Sequence, residues 1–151
     1  MASTLTLFNA FKLYLTDGTL DLNSHTFKTT LHTSTYVPDA AAHTIYSHIT
    51  GEVANANGYT TGGKTLINTA LTNTGGTVKW TADNLVWSAT GGSIIARYAV
   101  VWASGTLGGV VNPLVGYITL NDNAGTPLDV TVTDGNTLTL QWNVAGIITL
   151  A

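Results

Sequence analysis

Cysteine is absent from this 151-residue chain, which excludes a disulfide framework and any thiolate-held metal. Charge is nearly as scarce: Asp, Glu, Lys and Arg together make up 9% of residues, against about 25% in ordinary soluble domains. The basic residues Lys12, Lys28, Lys64, Lys79 and Arg97 are scattered, and the net charge is −3. Phosphate contacts need clustered Lys and Arg, so no nucleic-acid partner is expected. No apolar run approaches the ~18 residues of a membrane helix, and no membrane partner is expected either. The opening MASTLTLFNAFKLYL has no basic lead-in and no small-residue cleavage site, so a signal peptide is not expected. Glu52 is the only glutamate.

Despite few charges the mean hydropathy is +0.24. A free monomer normally stays soluble on a charged surface. This chain must instead cover itself with Thr, Asn, Ser and Gly, or hide surface against other copies or partners. Its length suits one well-buried core, and a single domain over residues 1–151 is expected.

The most telling stretch runs from Asp83 to Trp102. Ile94, Ala96, Tyr98, Val100 and Trp102 would share one face of a strand, and Ile95, Arg97, Ala99 and Val101 the other. Both faces are apolar apart from Arg97, which predicts a central strand over 93–103 covered on both sides. Upstream, residues 5–16 fit two patterns: a helix with Phe8, Phe11 and Leu15 on one face and Asp17-Gly18 as its stop, or a hairpin turning at Asp17-Gly18. His25–Thr33 alternates as a half-exposed strand, with Phe27, Thr29 and Leu31 opposite Lys28, Thr30 and His32. Pro38-Asp39 opens the most convincing helix, with Asp39 as N-cap and Ala42, Ile45, Tyr46, Ile49 and Val53 on one face.

Asn55–Gly63 reads as a polar, Gly-rich loop. Strands are expected near 64–72, 76–81, 84–88, 114–121, 127–133, 137–143 and 145–150, separated by Gly and Asp-Asn turn signals. The last hairpin would set Leu128, Val130 and Val132 against Leu138, Leu140 and Trp142, with Asp129, Thr131, Thr139 and Gln141 in water. These spacings predict a mainly β, single-domain antiparallel sandwich, jelly-roll-like, with one or two short helices in the N-terminal third.

Several patterns touch on chemistry. Gly58–Thr65 fits G-x-x-x-x-G-K-[ST], yet a phosphate loop must leave a buried parallel strand and enter a helix. Here a helix and a polar stretch precede it, so a structural turn is the reading. His43 and His48 lie about 140° apart on a helix, His25 and His32 fall on opposite faces of a strand, and surface histidine is the default. Asn121–Gly125 is oxygen-rich like a calcium loop but lacks the later ligands, and reads as a hairpin turn. There is no Gly-x-Ser-x-Gly elbow, and the acids are scattered. No catalytic, cofactor-binding or metal-ligating residue is assigned, no cofactor is expected, and the chain is not expected to be an enzyme. Arg97, on a central strand, would need a carboxylate or a ring; Asp83, Glu52, Trp87 and Tyr98 are the candidates. Trp80, Trp87, Trp102 and Trp142 fall on inferred inward faces.

One set of residues is familiar as a set: Gly18-Thr19-Leu20-Asp21-Leu22, Thr26-Phe27-Lys28, Leu31-His32-Thr33-Ser34, Glu52-Val53, Gly58 to Gly63, Trp87, Ala96 to Val100, Pro113 to Tyr117 and Trp142. From about Phe8 to Leu150 the chain resembles small β-rich virion structural proteins encoded among the head and tail genes of tailed bacteriophages. The resemblance implies a helix before the Gly18-Thr19 turn, a structural role for the Gly58–Gly63 loop, and no catalytic residues. It implies a virion location, after synthesis in the bacterial host cytoplasm. With the low charge it leads to the expectation of a capsid decoration or cement protein on the outside of the head, partnered by the major capsid protein and by other copies of itself, with homotrimers as one arrangement. A head-fibre or tail-associated receptor- or glycan-binding module is the alternative.

Overall fold

The structure is a computed structural model describing residues 4–123 and 125–151. Short β-branched runs and glycine turns alternate along the chain, and the elements follow them: β1 (Thr6–Leu7), α1 (Asn9–Thr16), β2 (Phe27–His32), a 3-10 turn at Tyr46–His48, β3 (Lys64–Thr65), β4 (Ala70–Thr74), β5 (Thr77–Thr81), β6 (Leu85–Ser88), β7 (Ile94–Ala96) and β8 (Tyr98–Ala103). There follow β9 (Thr106–Leu107), β10 (Val110–Val111), β11 (Leu114–Thr119), β12 (Asp122–Asn123), β13 (Thr126–Pro127), β14 (Val130–Val132), β15 (Thr137–Leu140) and β16 (Ile148–Leu150). Among the described residues every strand pairing is antiparallel. The fold is mainly β and sandwich-like, with one short helix near the N-terminus.

A five-stranded sheet ordered β1-β11-β8-β2-β3 forms the middle layer, with β8 at its centre. Ala99, Val101 and Ala103 face the larger core, which holds Trp80, Trp87, Leu138, Leu140 and Trp142. Val100 and Trp102 face a second cluster with Phe8, Tyr36 and Leu114. The first is closed by the three-stranded sheet β16-β5-β4 and by the pairs β14-β7 and β15-β6. Trp80 ties these layers together: its ring meets Phe27 edge-on at 4.8 Å and its Nε1 donates to the Leu22 carbonyl at 3.1 Å. Such a ring pair contributes about 1 kcal/mol beyond its burial.

The helix alternative for the N-terminal segment is the one realised. α1 ends as Asp17 N–H bonds to the Leu13 carbonyl and Gly18 turns at φ 83°, a conformation open to glycine at little cost. The glycine pair 75–76 has φ 59° and 83° and closes the β4–β5 hairpin with both residues left-handed, as a two-residue turn matched to strand twist requires. All four tryptophans are buried.

Five expectations are corrected. The helix from Pro38 is absent. Asp39 does cap, accepting the amides of Ala41 and Ala42 at 2.9 and 3.0 Å, but only one turn follows. The Leu114 amide then bonds to the Thr44 carbonyl, and the Tyr46 amide to the Asn112 carbonyl. Thr44, Ile45, Tyr46, Ile49 and Thr50 are poor helix formers, and pairing along 112–114 with a left-handed Gly51 (φ 65°) wins. Tyr46 and Ile49 are still covered, but from an extended segment.

β2 is covered on both faces, not half-exposed: Thr30 and His32 are 0% and 1% exposed because the 33–53 segment lies over them. The expected 93–103 strand breaks at Arg97, whose amide bonds to the His32 carbonyl while its own carbonyl accepts the Leu120 amide. A one-residue slip exchanges faces; Ile94 and Ala96 therefore share the core of Ala99 and Val101, not the face of Val100. The 64–72 strand is likewise two strands, β3 and β4, in different sheets. Finally, Val132, Leu138, Leu140 and Trp142 are buried as expected, whereas Leu128, expected inward, is 41% exposed and Val130 only half-buried; β14 pairs with β7 and β15 with β6 instead of with each other.

Candidate functional site

The residues singled out by pattern do not converge. Arg97 finds neither Asp83 nor Glu52. Its Nε donates to Asp129 Oδ1 at 2.8 Å, with the two side chains 27% and 37% exposed. The strand break turns Arg97 outward, so the buried-ion problem never arises. Asp83 instead accepts Asn68 Nδ2 at 2.6 Å. His25, His32, His43 and His48 stay apart, and among the described residues no three His, Asp or Glu side chains gather as a metal would require. Asp122–Asn123 pairs with Thr126–Pro127 as a hairpin; Ala124, within the expected oxygen-rich turn, lies outside the described residues. Lys64–Thr65 of the phosphate-loop pattern enters a strand paired with β2, not a helix.

What the glycines of that pattern do is packing. A Cβ on Gly63 would run into the Thr29 carbonyl oxygen, and one on Gly58 into the Ser88 carbonyl oxygen. The loop is pressed against β2 and the end of β6, where a side chain has no room.

The same loop is tied into a polar arrangement centred on Glu52. Glu52 Oε1 accepts the Tyr59 hydroxyl at 2.6 Å and the Gly62 amide at 2.7 Å, while Oε2 accepts the Tyr46 hydroxyl at 2.6 Å. Tyr59 in turn accepts the Leu31 amide at 3.1 Å. Beside it, His32 Nδ1 lies 2.8 Å from the Thr50 carbonyl and Nε2 2.9 Å from Thr30 Oγ1. A carbonyl can only accept, so Nδ1 carries the proton and Nε2 receives the Thr30 hydroxyl. Burial pushes the His32 pKa down, against smaller opposing effects of the Thr50 hydrogen bond and the Glu52 charge. Burial, and then the hydrogen bond to Glu52, push the Tyr46 and Tyr59 hydroxyls well above the usual phenol range.

Three donors engage both oxygens of Glu52 and tie the carboxylate to Tyr46, Tyr59 and the Gly62 amide. The arrangement fastens residues 44–63 across β2 and works as a clamp. Sequence reasoning placed Glu52 only as a partner for Arg97. A single glutamate six residues after one tyrosine and seven before another was the available signal.

A concave feature among the described residues is apolar. A groove of about 450 Å³ opens between the end of α1 and the three-stranded sheet, walled by Leu15, Leu20, Leu22, Leu71, Val78 and Leu150 with Asp21 at its rim. Asp21 is committed locally: the Ser24 hydroxyl and the Asn23 amide hold its pKa below the usual carboxylate value. One side of the groove ends at β4, all five residues of which are exposed. The C-terminal strand is more covered, since β16 pairs with β5 and Ile147 and Ile148 are buried. No helix of the described residues is long and apolar enough to cross a membrane.

No family model, curated protein or solved structure matches the chain. Function must therefore be argued from the surfaces themselves.

Proposed function

We propose that the chain is a structural protein of a tailed-phage virion, a decoration or cement subunit that binds the outside of the head in many copies and stabilises it by bridging capsid subunits. The observation that carries the reading is what the strands turn outward. Thr72 and Thr74 on β4, Thr131 on β14, Thr137 and Thr139 on β15 and Thr149 on β16 are all exposed, where an ordinary domain would place Lys and Glu. Burying an unpaired hydroxyl costs about 1–3 kcal/mol and burying a charge far more. A hydroxyl-faced surface is therefore cheap to cover by neighbours on several sides, and repeated weak contacts become firm through multivalency. The phage setting comes from the sequence resemblance.

The alternative, a glycan- or receptor-binding module, calls for exposed rings on which a sugar can stack. Every Trp, Tyr and Phe of the chain is buried or half-buried, and the decoration reading is preferred for that reason. Purified protein added to expanded heads should bind in a number that scales with the capsid subunits. Six or twelve copies per virion, roughly the symmetry numbers of a neck or tail, or a positive glycan array, would overturn the reading.

A further inference from the structure

We infer that β4 is a self-association edge: two copies of this chain join β4 to β4 across a twofold axis, extending the three-stranded sheet into a continuous sheet of twice the width. The inference concerns a contact between copies and holds wherever the chain acts.

Among the described strands that pair on one side only, β4 is the longest, at five residues, and it is exposed throughout. β6 and β15 follow at four residues each, with alternate residues buried, and the rest are shorter. β1 and β3, the edges of the five-stranded sheet, have two residues each, and β3 begins with Lys64. Proteins protect edges with charges, prolines or bulges. β4 has none of these: its register with β5 is unbroken from Ala70↔Thr81 to Thr74↔Thr77, and no charged residue occurs from Thr65 to Val78.

The register fixes which backbone groups are free. Thr74 and Thr77 flank a two-residue turn and form a hydrogen-bonded pair. Antiparallel pairs alternate, so Thr72↔Lys79 and Ala70↔Thr81 are bonded as well. The N–H and C=O of Leu71 and Asn73 therefore point away from β5. An antiparallel β4–β4 pair centred on Thr72 sets Leu71 of one copy against Asn73 of the other, and the reverse. That satisfies all four outward groups of each copy in four backbone hydrogen bonds.

A second copy is the occupant that this edge fits best. The contact is self-complementary, as a twofold demands, and the segment carries no charge to repel its own image. The competing edge in the same sheet is β16. It has three residues, of which Ile148 and Leu150 lie opposite Trp80 and Val78, so only Thr149 is left to offer outward groups. A β4–β16 contact would make half as many bonds. The twofold also brings both copies' Leu71, 38% exposed at the groove wall, into one interface, so groove and edge are covered together.

The test uses the whole chain. Sedimentation equilibrium should give a species of twice the 15.8 kDa chain mass at micromolar concentration. Asn73→Pro deletes an outward N–H and no bond within the hairpin, and should raise the dimer dissociation constant at least tenfold with unchanged thermal unfolding. Thr72→Lys, which sets two like charges directly opposite each other, should do the same if the proline variant unfolds. Because the chain has no cysteine, Thr72→Cys should cross-link to a disulfide dimer on mild oxidation, while Thr81→Cys, on the far side of the hairpin, should not. A monomer at every concentration with no cross-link, or an oligomer indifferent to Asn73→Pro and Thr72→Lys, would overturn the inference.

Discussion

Tyr59 places its hydroxyl 2.6 Å from Glu52 Oε1 and receives the Leu31 amide on the same oxygen at 3.1 Å. One phenol thus satisfies a strand amide of β2 and a carboxylate of the covering segment together. Tyr59→Phe leaves the Leu31 amide unpaired and removes one of Glu52's three donors, and should cost about 1–3 kcal/mol. Tyr46→Phe should cost less, since it strips a donor from Glu52 without leaving a strand amide unpaired. Urea denaturation of both single variants and the double variant checks this. Full additivity would argue against a coupled clamp.

His32 is buried and held neutral, its pKa depressed chiefly by desolvation. Above about pH 6.5 neither folded nor unfolded chains protonate this histidine. Below it, the unfolded chain takes up a proton that the native chain refuses, so stability falls as pH drops. Urea midpoints measured from pH 8 to 5 should decline, and His32→Gln should flatten that decline while lowering stability throughout. An unchanged pH slope in the variant would refute the assignment to His32.

Tyr36, Tyr46 and Tyr59 carry the opposite sign. Burial raises each hydroxyl's pKa, so the native chain stays protonated where unfolded tyrosines ionise, above about pH 10. Stability contributed by these groups is intact below that value and lost above it. A spectrophotometric titration should show part of the tyrosine absorbance change arriving only with unfolding.

Neighbouring glycines should respond differently to alanine. Gly62 has φ 89° with open space around its Cβ position, while Gly63 has φ 67° and faces the Thr29 carbonyl. Gly62→Ala should cost about 1 kcal/mol of backbone strain, and Gly63→Ala should exceed 2 kcal/mol because strand and loop must part. Equal losses would mean that strain alone governs this loop.

The Arg97–Asp129 pair is well formed but substantially exposed. Replacing either residue with Ala should change stability by no more than about 1 kcal/mol, and by less in high salt. A larger, salt-insensitive loss would indicate a register-fixing role for this arginine.

The break at Arg97 shows where reading from the sequence stops. The nine alternating positions from Ile94 to Trp102 look like one strand, and nothing local signals that the His32 carbonyl and the Leu120 amide claim Arg97's backbone and shift the face by one residue. The 39–53 segment fails similarly. Its apolar spacing and Asp39 cap suit a helix, but the 112–114 backbone offers pairing 70 residues away in the chain. At the candidate surfaces, Gly75-Gly76 marks the hairpin in the sequence, whereas the nakedness of β4 depends on which strands chose to lie elsewhere.

The sequence by itself determined a mainly β chain, its glycine turns, and tryptophans turned inward, because alternation and positive φ are properties of a few adjacent residues. Tertiary structure alone decided that β14 meets β7 and β15 meets β6, that Thr30 and His32 are covered, and that β4 remains bare. Each of these depends on what packs across a face or along an edge from distant parts of the chain, and backbone hydrogen bonding between strands carries no residue code to announce its partner.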